Sequence, residues 1–168
     1  MQLVELLKKR LSEYRYTECD EGSINDIQFV AVIKTLRLWM VRYLCVVVEV
    51  PENISDIPAT KQFFAQVRRS LTAKYAKFPY WKELGTYLVF LCEHELYKKL
   101  RGKEKSFKDR TGFHMNVMLG TCFVDKKTFE NSAEATWGLF YSGKHYGAIR
   151  AAVAQWCKIQ EKETNSRE

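Results

Sequence analysis

The chain has 168 residues, of which 46% are hydrophobic and 28% charged. That composition suits one globular domain with its own core and excludes a disordered or low-complexity protein. Its formal net charge of +7 is a mild signal for a polyanionic partner, because excess Lys and Arg attract nucleic acid or other polyanions.

The N-terminal MQLVELLKKRLSEY interrupts its apolar residues with charges, so it does not read as a signal peptide. The longest apolar runs, 44–48 and 87–92, are too short to span a bilayer. Five cysteines, without a C-x-x-C, lie in apolar segments and read as reduced core thiols. The expectation is a cytoplasmic protein with no membrane partner.

Residues 2–14 suit an amphipathic helix with Leu3, Leu7, Leu11 and Tyr14 on one face. The acidic TECDEGSIND, 17–26, reads as a loop broken by Gly22 and Asn25. FVAVIKT (29–35) and RLWMVRYLCVVVEV (37–50) are β-branched and aromatic and read as strands joined by a tight hairpin. Arg42 keeps one face of the second strand from full burial near its start, whereas Leu44 to Val48 is apolar on both faces, as in a strand covered on both sides.

Ser55 or Asp56 caps a helix with Pro58 in its first turn and a core stripe of Phe64, Val67, Leu71 and Tyr75. TYLVFLCE (86–93) reads as a buried strand, and HELYKKLR (94–101) as a short helix stopped by Gly102. FHMNVMLGTCFV (113–124) alternates and reads as a half-exposed strand carrying His114 and Asn116 on its open face. EATWGLFY (134–141) reads as a further strand, followed by a helix from Ser142 with Tyr146, Ile149, Val153, Trp156 and Cys157 facing inward.

The predicted order is α-β-β-α-β-α-β-β-α. The fold class is α+β: one domain over 1–158, a mixed or mostly antiparallel sheet of about five strands against helices, and a frayed charged tail at 159–168.

GLFYSGKHYGAIR, 138–150, has the glycine and lysine spacing of a phosphate-binding loop at Gly138, Gly143 and Lys144. Such a loop needs small residues and a hydroxyl after the lysine. Here Leu139, Phe140 and Tyr141 are bulky and the hydroxyl position is His145, so the spacing is coincidental and no nucleotide is expected. Ser142, Gly143 and Lys144 still sit where a helix should start, and a helix N-terminus can hold an anion.

Cys92 and His94 form a C-x-H pair without a second pair, which is too little for zinc; no metal site or cofactor is expected from the histidines. Asp26 lies before the first of the two predicted N-terminal strands and Glu49 near the end of the second, with Lys34 between them in the sequence. With Lys34 they are the weak candidates for a metal-dependent nuclease or hydrolase.

Lys98, Lys99, Arg101, Lys103, Lys105, Lys108 and Arg110 crowd one helix end and loop, against only Glu104 and Asp109. These cations are the candidate surface for nucleic acid or another polyanion. A further basic run, including Lys61, Arg68, Arg69 and Lys74, spreads around its helix rather than forming one stripe. The leading expectation is a non-catalytic binding domain for a polyanion. The alternatives are the metal-dependent hydrolase and a self- or protein-interaction domain using the face of His114 and Asn116.

Overall fold

Leu44 to Val48 are 0% exposed, and a strand buried on both faces must sit inside a sheet with helices above and below it. The computed structural model, which describes residues 2–35, 41–76, 83–107, 116–135 and 139–166, meets that requirement. The chain forms α1 (Leu3–Leu11), a 3₁₀ turn (Ser12–Tyr14), β1 (Tyr16–Ile24), β2 (Ile27–Thr35), β3 (Val41–Glu49) and α2 (Ile57–Tyr75). It continues with β4 (Glu83–Cys92), α3 (His94–Leu100), a second 3₁₀ turn (Glu104–Phe107), β5 (Asn116–Asp125), β6 (Asn131–Ala135) and α4 (Leu139–Asn165).

Among the described residues the six strands form one sheet in the order β1-β2-β3-β4-β5-β6. β2 pairs antiparallel with both β1 and β3, and β5 pairs antiparallel with β6. β3, β4 and β5 are parallel, so α2 and α3 serve as their crossovers. The sheet is mixed and the class is α+β.

Side-chain alternation along β3 divides the core. Leu44, Val46 and Val48 pack with Phe64, Val67 and Leu71 of α2 and Leu96 and Leu100 of α3. Cys45 and Val47 pack with Leu3, Leu7 and Leu11 of α1 and Ile149, Val153 and Cys157 of α4. Asp56 caps α2, its carboxylate accepting from Ala59 N at 2.7 Å, with Pro58 in the first turn. Gly102, at φ 77°, follows α3 as its stop. Helix α4 runs on through Asn165, past residue 158 where the apolar period ends, and Ile159 still packs against the core.

Three segments differ from expectation. The acidic 17–26 stretch is mostly strand β1 rather than loop. As an edge strand it tolerates charge on its open side, register shifts between Tyr16 and Glu18 and between Asp20 and Gly22 interrupt its pairing, and Ile24 pairs with Ile27 across a two-residue turn. Asn25 (φ 48°) and Asp26 (φ 65°) both take the left-handed conformation that such a turn demands.

The expected strand at 134–141 is displaced. β6 is Asn131–Ala135, and Leu139 to Tyr141 are the first turn of α4. Its polar sequence NSAEA is held as strand by pairing with Gly120 to Val124, not by an apolar pattern. The third difference is β5, whose middle is buried on both faces rather than half-exposed. Asn116 is 1% exposed and accepts a hydrogen bond from Thr86 Oγ1 at 2.6 Å; His114 lies outside the described residues.

Gly120 registers α4 on the sheet. A Cβ there would lie 2.7 Å from Tyr146 Cε2, and the Tyr146 ring stacks on Tyr87 with centroids 6.1 Å apart. Gly120→Ala therefore forces a buried ring pair to shift. It is expected to lower stability by about 2 kcal/mol, read from urea denaturation midpoints; an unchanged midpoint would show that the ring gives way freely.

Candidate functional site

The parallel strands β3, β4 and β5 end together, and α/β sheets leave ligand crevices at such carboxyl ends. Glu49 closes β3, Glu93 and His94 follow β4, and Asp125 and Lys126 close β5. Because β2 is antiparallel to β3, its beginning and the turn bearing Asp26 reach the same end. A cleft of about 470 Å³ opens there, lined by Asp26, Gln28, Glu49, Glu52, Gln66 and Lys126 around apolar residues that include Phe63 and Ile54.

Asp26 and Glu49 thus share one cleft. Lys34 does not join them. It lies at the far end of β2, opposite Leu44, roughly 23 Å from Ile27 at ~3.3 Å per residue. Its ammonium donates to both carboxylate oxygens of Asp20 at 2.7 Å and lies 3.3 Å from Glu18. Burial pushes the Asp20 carboxyl up, but hydrogen bonds from Lys34 and the Tyr75 hydroxyl outweigh it and hold the net value below the usual range. Lys34 is thereby committed to a structural ion cluster.

The basic group in the cleft is Lys126, which was not singled out in the sequence. Its Nζ lies 2.5 Å from Glu93 Oε1. That hydrogen bond raises the ammonium above its ordinary range despite burial, with Glu49, Glu93 and Glu52 adding to the effect. Among the described residues no three His, Cys, Asp or Glu side chains are arranged to hold a metal ion. Mg²⁺ needs less from a protein, because one or two carboxylates plus substrate phosphates and water complete its shell.

Beside the cleft, Asp125 is 0% exposed. Its carboxylate accepts from the backbone N–H groups of Lys127 (2.8 Å) and Thr128 (3.3 Å), from Thr128 Oγ1 (2.7 Å) and from His94 Nδ1 (2.5 Å). With Asp125 ionised, the Nδ1–H form of His94 completes this contact. His94 therefore turns to Asp125 and not to Cys92, whose buried thiol is pushed up to about 12 and donates weakly to Phe90 O. The signal for this cluster in the sequence was the D-x-x-T of a side-chain-capped turn; its histidine is 31 residues away, beyond any local pattern.

The basic segment is only partly as expected. Lys98, Lys99, Arg101, Lys103 and Lys105 are all exposed, and Lys108 and Arg110 lie outside the described residues. The fold interleaves the cations with carboxylates. Lys98 faces Glu95 (3.1 Å), Arg101 faces Glu130 (3.0 Å) and Lys105 faces Glu134 (3.7 Å), while Lys99 donates to Ser55 O at 2.9 Å. Arg68 donates to Asn116 O and Lys74 lies 3.8 Å from Asp20, so these α2 cations also have partners inside the fold.

Ser142, Gly143 and Lys144 do not begin a helix. α4 starts at Leu139, which moves the free N–H groups of the first turn upstream of these three; Gly138 is outside the described residues. His145 next to them sits among Tyr14, Tyr16 and Tyr43 with ring centroids 4.9, 5.6 and 5.0 Å away, and burial lowers its pKa. It flanks the core.

Asp125 also carries a pH signature. Burial alone would raise its carboxyl, but hydrogen bonds from Thr128, His94 and two backbone amides hold it below its ordinary 3.8. A depressed folded-state value contributes stability above pH 3.8 that is lost as pH falls through the folded value. Asp125→Asn is expected to cost about 2 kcal/mol at neutral pH, with the gap to wild type closing below pH ~3.8. Urea denaturation of both proteins across pH measures this, and a gap that persists into acid would remove the assignment.

Among the described residues no helix is long and apolar enough to cross a membrane. Comparison with known proteins finds no matching family model, no significantly similar curated protein and no significantly similar solved structure.

Proposed function

We propose that the chain is a non-catalytic binding domain for a polyanion, with nucleic acid as the partner and the segment from α3 through the following 3₁₀ turn as a contact surface. One observation carries this reading: Leu100 and Phe107 anchor the segment in the core at 0% and 1% exposure, while Lys98, Lys99, Arg101, Lys103 and Lys105 all point out from it. Cations on a fixed backbone bind phosphates with little ordering cost. Their carboxylate partners are also exposed, and exposed pairs are worth roughly 0–1 kcal/mol, so incoming phosphates can displace them.

The test is binding of fluorescent single- and double-stranded DNA and RNA across a salt series. Lys103→Glu with Lys105→Glu is expected to weaken binding to all sequences alike and to reduce the salt slope by about 2. Unchanged affinity in that variant, with folding intact, would remove this surface.

The shared cleft of Asp26 and Glu49 favours a second reading, a Mg²⁺- or Mn²⁺-dependent hydrolase of phosphodiesters. Asp26 and Glu49 would hold the ion, and Lys126 would meet developing negative charge on the phosphate. Glu49→Gln should abolish metal-dependent cleavage. So should Asp26→Gly, which suits the positive φ at that position and removes the carboxylate without straining the turn. Cleavage that survives both substitutions, or no cleavage by the wild-type chain with either metal, would end this reading.

A further inference from the structure

The fold brings together cations that lie far apart in the sequence, on the layer opposite the α3 segment. Between α1 and α4 runs an open groove of about 370 Å³, lined by Arg10, Ala151, Ala154, Gln155, Lys158, Ile159 and Lys162. Its charged lining is Arg10, Lys158 and Lys162, with no carboxylate.

We infer that this groove docks the sugar–phosphate backbone of a single-stranded nucleic acid. Four features support that occupant. The three cations are exposed, and none of them pairs with a carboxylate among the described residues, unlike Lys98, Arg101 and Lys105. Arg10 is already positioned, since its Nη2 donates to Gln155 Oε1 across the two helices at 3.0 Å. That contact leaves the remaining guanidinium donors for a phosphate. Lys158 and Lys162 are one turn apart on the same face of α4, ~6 Å along its axis, so they form a short charged rail parallel to the groove.

The fourth feature is shape. Ala151 and Ala154 keep the floor low, so a strand can lie close to the α4 backbone beneath the rail. A groove between two helices admits one extended backbone, whereas a duplex is convex and two strands wide and would touch only the rim. Both helices that form the walls are packed on the core, with Leu7 and Leu11 of α1 and Val153 of α4 all 0% exposed, so docking would have little backbone to order.

This surface goes beyond the α3 reading, and either can fail without the other. The experiment is fluorescence anisotropy of a labelled oligothymidylate at low salt and over a salt series, using the full chain. Arg10→Glu with Lys158→Glu and Lys162→Glu is expected to weaken binding at least about tenfold and to reduce the salt slope by about 3, with an unchanged thermal melt.

Should the triple reversal not fold, Lys158→Gln with Lys162→Gln, both at exposed positions, is expected to reduce the slope by about 2. Wild-type affinity in the folded groove variant overturns the groove. If Lys103→Glu with Lys105→Glu then weakens binding, the α3 surface stands alone; if neither variant weakens it, both surfaces fall. In the Lys103→Glu, Lys105→Glu background, which leaves the groove intact, duplex DNA binding as tightly as the single strand, or polyglutamate displacing the oligonucleotide at equal charge concentration, would also overturn the assignment, the latter in favour of an acidic protein partner.

Discussion

Burial of β3 on both faces is the constraint on which the rest of the molecule depends. A strand whose residues from Leu44 to Val48 see no water needs strand neighbours on both edges and helices on both sides. Parallel pairing with β4 demands a crossover, which α2 supplies on one face. The other face is closed by α1 and α4, which are separated by nearly the whole chain and meet across it. Among the described residues the charged groups discussed above then lie at the sheet ends, along the edge strand β1 or on the outer helix surfaces.

The two ends of the sheet spend their charges differently. Around Lys34 the opposite charges neutralise one another: Asp20 receives Lys34 and the Tyr75 hydroxyl, and Glu18 is shared by Lys34 and Arg42. Such a cluster holds β1 to β2 and α2, and it leaves little for a ligand. At the carboxyl ends of β3 to β5 the carboxylates outnumber their partners around an open cleft, and Lys126 is drawn among them. A protein of net charge +7 thus carries a locally acidic cleft and, on the α1–α4 layer, a groove lined by positive charge alone.

The elements that were legible in the sequence are those whose side chains report their burial. Leu44–Val48 announced a doubly covered strand, and the Phe64, Val67, Leu71 stripe with Asp56 and Pro58 announced α2 and its cap. β1 and β6 were not legible, because edge strands are held by backbone pairing and carry the polar residues TECDEGS and NSAEA that composition assigns to loops. α4 was begun three residues late because Leu139, Phe140 and Tyr141 have β propensity, which tertiary packing overrode. Asp26 and Glu49 were named as strand-end carboxylates, but their common end came from the pairing of β2 with β3. Lys126, the His94–Asp125 contact and the groove of Arg10 with Lys158 required strand order and helix packing, which no local spacing encodes.

The edges of the sheet also bear on how the protein behaves in a crowded solution. β1 presents an open row of backbone groups, but its pairing is interrupted by two register shifts and its sequence carries Glu18, Asp20 and Glu21. β6 is only five residues long and bears Glu134. Neither edge offers the long, flat, uncharged template on which a second chain adds as a further strand. Sheet-to-sheet polymerisation and strand exchange are thereby discouraged at both margins.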